Sequence, residues 1–173
     1  MANFKEDLVK IKAFIFDIDG VLSQQTISLN VFGVPNRTVN LRDGYALQLA
    51  VKKGYFIGVI SGCSSKEYQK RLKMLGISDI YLNSRKKLDQ YNAFLNKHKL
   101  NKSEVLYMGD DIPDFEVMKE AGVAVCPSDA DREIKQVAAF ISDKRGGEGC
   151  VRDVIEQVLR LHNNWMNSDA FNW

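Results

Sequence analysis

Acidic side chains occur in pairs directly after two apolar runs of this chain. Asp17 and Asp19 follow the run at residues 13–16, and Asp110 and Asp111 follow the run at residues 105–108. Like charges that lie close together repel, and a divalent cation removes the conflict. Carboxylate oxygens suit Mg²⁺, particularly when a phosphate group completes the coordination. If the two pairs meet in space, their chemistry is that of a magnesium site that accepts a phosphate.

A hydroxyl group and an ammonium group occupy comparable positions in the sequence. Ser61 and Gly62 follow the apolar run at residues 55–60, and Lys87 begins a helical segment after a short strand. In an open sheet of parallel strands, ligands bind at the carboxyl ends of the strands. We therefore expect these groups to converge with the aspartates. A cation, a lysine, a hydroxyl and backbone amides around one point can hold a phosphoryl group during its transfer.

The elements that must position these residues follow from hydrophobic periodicity. Strands are predicted at residues 11–16, 55–60, 79–82, 104–108, 123–126 and 139–142, and helices at residues 43–54, 64–76, 86–99, 113–120, 130–138 and 150–162. Asp43 is the expected N-cap of the first helix, and Ser64 with Glu67 has the spacing of a capping box. Two β-prone runs around a Gly/Pro/Asn turn predict a β-hairpin at about residues 24–41. The alternation predicts an α/β fold with a parallel sheet covered by helices on both faces.

Composition favours an ordinary globular protein. The 173 residues carry a net charge of +2, with 45% apolar and 27% charged residues, which predicts one domain over residues 1–173. We expect no nucleic-acid partner, no signal peptide and no membrane span. Three widely spaced cysteines argue against disulfides and a zinc site, and they favour the cytoplasm. The aromatic tail at about residues 164–173 is expected to be either frayed or packed on a surface, including that of a partner subunit.

The strand-end motifs together resemble those of the haloacid dehalogenase-like phosphatases. The motifs are Asp17-Ile18-Asp19-Gly20-Val21, Ser61-Gly62, Lys87, and Gly109-Asp110-Asp111-Ile112-Pro113-Asp114. The resemblance covers nearly the whole chain and implies a three-layer Rossmann-like fold. Many relatives carry a cap domain over the site. Here residues 20–42 hold only the predicted hairpin, and residues 61–87 hold one helix and one short strand, so the chain is expected to be capless.

The resemblance implies catalytic and metal-binding roles for the aspartates. Asp17 would be the nucleophile that forms an aspartyl phosphate. Asp19 would act as the general acid for the leaving alcohol and then as the base for the attacking water. The Mg²⁺ ligands would be Asp17, the backbone carbonyl of Asp19, and Asp110. Asp111 and Asp114 would support the water shell of the metal and the lysine.

The phosphate-binding roles follow from the same resemblance. The Ser61 hydroxyl, the Gly62 amide and Lys87 would hold the phosphoryl oxygens. Lys86 is adjacent and is the alternative to Lys87. We prefer Lys87 because it stands before the apolar Leu88, as in the pattern of the family, and Lys86 is then a solvated surface lysine.

Two further segments resemble the tetrameric 3-deoxy-D-manno-octulosonate 8-phosphate phosphatases. They are Leu41-Arg42-Asp43-Gly44-Tyr45 and Arg145-Gly146-Gly147-Glu148-Gly149-Cys150-Val151-Arg152. This resemblance implies removal of phosphate from that sugar acid phosphate in lipopolysaccharide precursor synthesis. It also implies a homotetramer in which the hairpin and tail of one subunit help to line the site of a neighbour. Arg42, Arg145 and Gly147 are then candidates for binding the substrate, because arginine pairs well with a carboxylate.

Two alternatives stay open at the level of sequence. Cys63 stands where many octulosonate phosphatases have arginine and some nonulosonate enzymes have glutamate, so a nonulosonate (sialic-acid-type) 9-phosphate is an alternative substrate. In another functional class, a receiver-like signalling module also combines strand-end aspartates, Mg²⁺ and a lysine. Receivers place the acidic pair and the phosphorylated aspartate on different strands, which disfavours that alternative for Asp17 and Asp19.

Overall fold

Six strands form one sheet at the centre of the computed structural model, which describes residues 4–172. The strands are β1 (Ala13–Phe16), β2 (Phe56–Ile60), β3 (Asp79–Tyr81), β4 (Val105–Met108), β5 (Val123–Cys126) and β6 (Phe140–Ile141). Their order is β3-β2-β1-β4-β5-β6, and every pairing is parallel. The predicted α/β fold with a parallel sheet is therefore confirmed.

The register of the central strands aligns their carboxyl ends. Phe16, the last residue of β1, pairs with Val59 of β2 on one side and with Met108 of β4 on the other. The residues that follow these three strands consequently emerge at the same edge of the sheet. This alignment brings the polar groups after β1, β2 and β4 together.

Helices cover the sheet on both faces. The helices are α1 (Phe4–Leu8), α2 (Leu41–Lys52), α3 (Lys66–Met74), α4 (Lys87–His98), α5 (Phe115–Glu120), α6 (Arg132–Val137) and α7 (Cys150–Leu161), with short 3₁₀ turns at Lys102–Glu104, Ile112–Asp114 and Ser168–Phe171. Phe14 and Phe16 point into the core shared with α1, α2, α3 and α7, whereas Ala13 and Ile15 point into the core shared with α4, α5 and α6. Both cores are apolar, and each strand contributes to both because its side chains alternate between two covered faces.

The helices are short compared with the thickness of a bilayer. The longest of them, α2, α4 and α7, have 12 residues each. Across residues 4–172, no helix has the length and apolar character that crossing a membrane requires.

The hairpin after β1 is less regular than the sequence predicted. Antiparallel pairing is reduced to one bridge between Leu29 and Pro35. Proline has no backbone N–H to donate to a ladder. The Asn30 side chain also accepts the backbone N–H groups of Phe32 and Val34, so local bonding replaces strand pairing. We refer to residues 24–40 as the hairpin loop.

Two helix caps differ from the predictions. The N-cap of α2 is Asn40, whose side chain accepts the N–H groups of Arg42 and Asp43, and the N-cap of α3 is Ser65. Asp43 was therefore the wrong choice of cap for its own helix, and Ser64 was wrong by one residue. Helix α1 was not predicted at all, because five residues are too few to show a helical period.

Asp43 instead caps a different helix. Helix α7 begins after Gly149, which has no side chain to accept an N–H group. The buried Asp43 carboxylate accepts the backbone N–H of Arg152 at 2.7 Å, in the first turn of α7. Burial raises the pKa of Asp43 to about 6. One side chain thus fixes the start of α7 against α2.

The tail lies on its own chain. The Tyr45 hydroxyl donates to the Ala170 carbonyl, and the Trp165 ring packs edge-on against Tyr45. The Arg152 guanidinium lies 5.2 Å from the centre of the Trp165 ring. Of the two predicted possibilities, packing on a surface is the one observed for residues 164–172, and that surface is formed by α2 and α7. Trp173 lies outside the described residues.

Replacing Asp43 should show how much its capping of α7 contributes to stability. Asp43→Ala is expected to lower the free energy of unfolding by about 1–3 kcal/mol, because buried N–H groups of α7 lose their acceptor. Asp43→Asn keeps an acceptor and, at pH 7, removes a buried charge, so it should lie closer to wild type. Urea unfolding followed by circular dichroism measures both. The control is Asp143→Ala, at a side chain that is 78% exposed; equal losses at the two positions would contradict the capping role.

Candidate active site

A buried carboxylate cluster lies where the strand ends meet. Asp17, Asp110 and Asp114 each place an oxygen within 4.8 Å of the others, and all three are buried. Lys87 is also buried, and its Nζ lies 2.6 Å from Asp17 Oδ2 and 2.7 Å from Asp114 Oδ1. Lys86 is exposed. The structure therefore brings Lys87 into the cluster and leaves Lys86 at the surface.

Two glycines make room for this crowding. A Cβ atom on Gly20 would lie 1.9 Å from Asp110 Oδ2, and Gly20 has a φ of +82°. A Cβ atom on Gly109 would lie 2.4 Å from the side chain of Asp114. Any larger residue at either position would push a carboxylate out of the cluster, so both glycines belong to the site.

Asp114 holds the cluster together through hydrogen bonds on both of its oxygens. Oδ1 accepts from Lys87 and from the buried Tyr107 hydroxyl at 2.5 Å, and Oδ2 accepts the backbone N–H of Asp110 at 3.2 Å. Sequence reasoning missed Tyr107, which reads as an ordinary core aromatic of β4. Asp111, by contrast, is exposed and accepts the N–H of Ile112 at 2.8 Å. Asp114, and not Asp111, is the residue that contacts Lys87.

The electrostatics of the cluster disfavour an excess of negative charge. The pKa of Asp17 is raised to about 6 and that of Asp110 to about 8. The main cause is burial, and the second is repulsion from Asp114. Burial on its own would lower the pKa of Lys87, but attraction to Asp114 and Asp17 outweighs it and raises that pKa. The lysine therefore stays charged while the carboxylates around it compete for one positive charge.

The remaining free oxygen marks where a cation fits. Within the described part of the chain, Asp110 Oδ1 is buried and has no hydrogen-bond partner. Asp110 Oδ2 accepts from Gln25 at 3.2 Å. Hard carboxylate oxygens from Asp17 and Asp110 are donors that suit Mg²⁺, and a divalent cation would offset the repulsion described above. The residues present thus fit the predicted metal, and Asp17 and Asp110 would be its side-chain ligands.

Asp19 lies beside the cluster and is held by an arginine that sequence reasoning missed. Arg37 Nε and Nη2 donate to the two oxygens of Asp19 at 2.7 and 2.8 Å. The Asp19 side chain is 43% exposed, whereas that of Arg37 is only 11% exposed. No spacing rule connects the two residues, because Arg37 reaches the site through the irregular hairpin loop.

Ser61 and Gly62 lie at the same edge of the sheet, directly after β2. Ser61 is buried, and its hydroxyl accepts the N–H of Cys63 at 3.3 Å. Gly62 is exposed. Backbone bonds from Ser61 to Tyr81 and from Ser84 to Ser61 tie this turn to β3 and the loop after it. The Ser61 hydroxyl and the exposed Gly62 backbone are thus placed at the edge of the sheet where the carboxylates lie.

The glycine-rich segment packs against the turn after β1. The Gly147 N–H donates to the Val21 carbonyl at 2.7 Å, and a Cβ atom on Gly146 would lie 1.9 Å from the Gly20 carbonyl oxygen. Arg145 lies 3.4 Å from Asp129. Gly147 therefore has a structural contact within the chain, and Arg145 already has an anionic neighbour.

Arg42 is placed differently from the other candidate residues. It is exposed and lines a groove between α2 and α7, together with Arg152 and Glu156. None of the cluster carboxylates lines that groove. Within one chain, the structure does not bring Arg42 to the cluster.

The fold and this site define the class of protein. Residues 66–154 match the profile of the haloacid dehalogenase-like hydrolases. The chain belongs to the haloacid dehalogenase-like hydrolase family, and the predicted family is confirmed.

Particular members of this family are similar over most of the chain. The Escherichia coli K12 protein 3-deoxy-D-manno-octulosonate 8-phosphate phosphatase KdsC is 32% identical over 149 residues, which cover 86% of this chain and 79% of that protein. The Moraxella catarrhalis 3-deoxy-D-manno-octulosonate 8-phosphate phosphatase, solved with magnesium, phosphate and a KDO molecule, is 33% identical with a TM-score of 0.90, covering 99% and 97% of the two chains. The Yersinia pestis enzyme of that name is 28% identical with a TM-score of 0.89, covering 93% and 87%.

The metal-free protein should lose stability as its cluster ionises. The pKa of Asp110 is raised to about 8 in the folded state, so its protonated form stabilises the fold at low pH and this contribution is lost as the pH rises through 8. At pH 8 in EDTA, Asp110→Asn is expected to be more stable than wild type by more than about 1.4 kcal/mol, the equivalent of one pKa unit. Urea unfolding at pH 5 and pH 8 measures the difference.

Magnesium should stabilise the wild type more than it stabilises Asp110→Asn. Added Mg²⁺ is expected to raise the Tm of wild type and of the surface control Asp143→Asn, but not that of Asp110→Asn. An equal rise in Tm in all three proteins would contradict the assignment of Asp110 as a metal ligand.

Proposed function

We propose that this chain is a Mg²⁺-dependent phosphatase that removes phosphate from 3-deoxy-D-manno-octulosonate 8-phosphate through an aspartyl phosphate. The observation that carries the proposal is Lys87 bound between buried Asp17 and Asp114, beside an Asp110 oxygen without a protein partner. The likeness to phosphatases of that name over most of the chain supports the choice of substrate.

Asp17 is the nucleophile of the proposed reaction. Its Oδ1 accepts the N–H of Ile18 at 2.6 Å and its Oδ2 accepts from Lys87, so the carboxylate is fixed in one orientation. An Asp17 oxygen forms a bond to phosphorus while the ester bond to the sugar breaks. Magnesium, when bound by Asp17 and Asp110, supplies positive charge that offsets the charge of the phosphoryl group.

Asp19 moves the protons of both half-reactions. It gives a proton to the sugar oxygen as that oxygen leaves phosphorus. In the second half it takes a proton from the water that attacks phosphorus. The bond between phosphorus and the Asp17 oxygen then breaks, which releases inorganic phosphate and returns Asp17 to its free form. Asp17 and Asp19 lie in the turn directly after β1 with one residue between them, and in the proposed reaction Asp17 faces phosphorus while Asp19 faces the leaving oxygen.

The phosphoryl oxygens are held by groups at the ends of β2 and the start of α4. Lys87 has two of its three N–H donors on Asp17 and Asp114, which leaves the third for a phosphoryl oxygen. The Ser61 hydroxyl and the Gly62 amide supply further donors. Positioning and charge neutralisation of this kind are what phosphoryl transfer mainly requires.

We also propose that the chain is a single capless domain that works in the cytoplasm. The hairpin loop is too short to form a domain. All three cysteines, Cys63, Cys126 and Cys150, are free and buried, which supports a reducing compartment.

Replacing the nucleophile should abolish turnover. Asp17→Asn is expected to lower kcat by about three orders of magnitude or more, since an amide does not attack phosphorus. Phosphate release from the octulosonate 8-phosphate in Mg²⁺ measures turnover, and circular dichroism checks the fold. Asp143→Asn is the control and should keep wild-type activity. Near-normal turnover by Asp17→Asn would contradict the assignment of the nucleophile.

A panel of substrates tests the choice of sugar acid. The octulosonate 8-phosphate is expected to have the highest kcat/KM, ahead of a nonulosonate 9-phosphate and of p-nitrophenyl phosphate. A higher value for the nonulosonate would favour the alternative substrate. Labelling without multiple turnover would instead favour a receiver-like module.

We further propose that the chain forms a homotetramer with shared sites. The tip of the hairpin loop supports this, because Val31 is 93% exposed and Phe32 is 85% exposed, and such apolar tips favour a protein partner. Light scattering is expected to give four times the chain mass. The double variant Val31→Ser, Phe32→Ser should give a smaller species with reduced turnover, and Val9→Ser, at another exposed apolar position, should not. A monomeric wild type would contradict the proposal.

A further inference from the structure

The two limbs of the hairpin loop each contact a carboxylate of the site. Gln25, on the outgoing limb, donates to Asp110 at 3.2 Å. Arg37, on the returning limb, forms two hydrogen bonds with Asp19. The loop is therefore a wall of the active site, and Arg37 is its cationic residue beside Asp19.

The backbone beside Arg37 is firmly anchored. The Thr38 N–H donates to the Ser23 hydroxyl at 2.9 Å, and the Thr38 hydroxyl accepts the N–H of Gln24 at 2.8 Å. The Arg37 side chain is only 11% exposed. Cys63 and Tyr68 lie near enough to its guanidinium to influence its charge. The position of Arg37 is thus built into the fold, while its long side chain keeps rotatable bonds that allow the guanidinium to change partner.

Arg37 is well placed to meet the part of a substrate that leaves with the alcohol. Under the proposed function, Asp19 faces the leaving oxygen and Lys87 faces the phosphoryl group. The guanidinium that binds Asp19 is therefore on the side of the sugar acid. The Lys87 ammonium is committed to two carboxylates, and Arg145 lies near Asp129.

We propose that Arg37 recognises the carboxylate of the sugar acid, and that the guanidinium exchanges Asp19 for this carboxylate when substrate binds. The proposal rests on the proposed function and adds a specificity residue to it. A guanidinium fork fits either carboxylate with two hydrogen bonds, so the exchange replaces one bidentate pair by another. It also releases Asp19 to turn towards the leaving oxygen. Cys63 carries no positive charge at this side of the site, and Arg37 supplies it.

The test compares a carboxylated substrate with a neutral one. We would measure kcat and KM for the octulosonate 8-phosphate and for arabinose 5-phosphate, a sugar phosphate whose sugar has no carboxylate. In Arg37→Ala, kcat/KM for the sugar acid phosphate is expected to fall about tenfold or more, the usual size for a charged hydrogen bond, mainly through KM. The value for arabinose 5-phosphate should stay within about twofold of wild type or rise.

Two further variants separate recognition from a structural role. Arg37→Lys keeps the charge without the fork and should lie between wild type and Arg37→Ala. Arg160→Ala, at an exposed arginine of α7, should leave kcat/KM for both substrates unchanged. Thermal unfolding with and without Mg²⁺ checks that each variant is folded.

The outcomes distinguish this inference from the function on which it rests. An equal loss for both substrates in Arg37→Ala, or an unchanged preference for the sugar acid phosphate, would overturn the role of Arg37 alone. Absence of turnover of every phosphate ester by the wild type would overturn the proposed function and this inference with it.

Discussion

The central constraint on this structure is that several buried carboxylates, which repel one another, lie around a single ammonium group. Lys87 pairs with Asp17 and Asp114, and Asp110 lies beside them. The pKa of Asp17 and that of Asp110 are raised because burial and the neighbouring carboxylates disfavour their charged forms. A fold that gathers these carboxylates leaves negative charge that is only partly balanced at one edge of its sheet. The Tyr107 hydroxyl stabilises Asp114 by donating a hydrogen bond to it, and a divalent cation would offset the negative charge that Lys87 does not balance.

The sheet makes this arrangement possible. A central strand buried on both faces carries its last residues to a common edge with its two neighbours. Gly20 and Gly109 then allow the backbone to approach the carboxylates more closely than any side chain would permit. The apolar cores hold the strands, the strands hold the carboxylates, and the free energy of the cores offsets the cost of crowding the charges.

The surroundings of the site form a hydrogen-bonded layer made of loops. Asn40 caps α2 and also donates to the Gly147 carbonyl at 3.2 Å, while the Gly147 N–H donates to Val21. The hairpin loop, the glycine-rich segment and the turn after β1 are therefore joined to one another. The hairpin loop lines the site through Gln25 and Arg37.

The sequence by itself determined the alternation of strands and helices, the edge at which the site lies, and the choice of Asp17, Asp110 and Lys87 for it. The alternation and the edge follow from local periodicity and from the rule that parallel strands end together, whereas the choice of Asp17, Asp110 and Lys87 follows from the resemblance to the family. Only the tertiary structure decided that Arg37 binds Asp19, that Asp114 rather than Asp111 contacts Lys87, and that Asp43 caps α7. Each of these contacts joins segments that are distant in sequence or depends on the rotation of one turn, and no local pattern of residues encodes such distances. The hairpin shows the same limit, because β-propensity predicted paired strands where Pro35 and the Asn30 side chain left a single bridge.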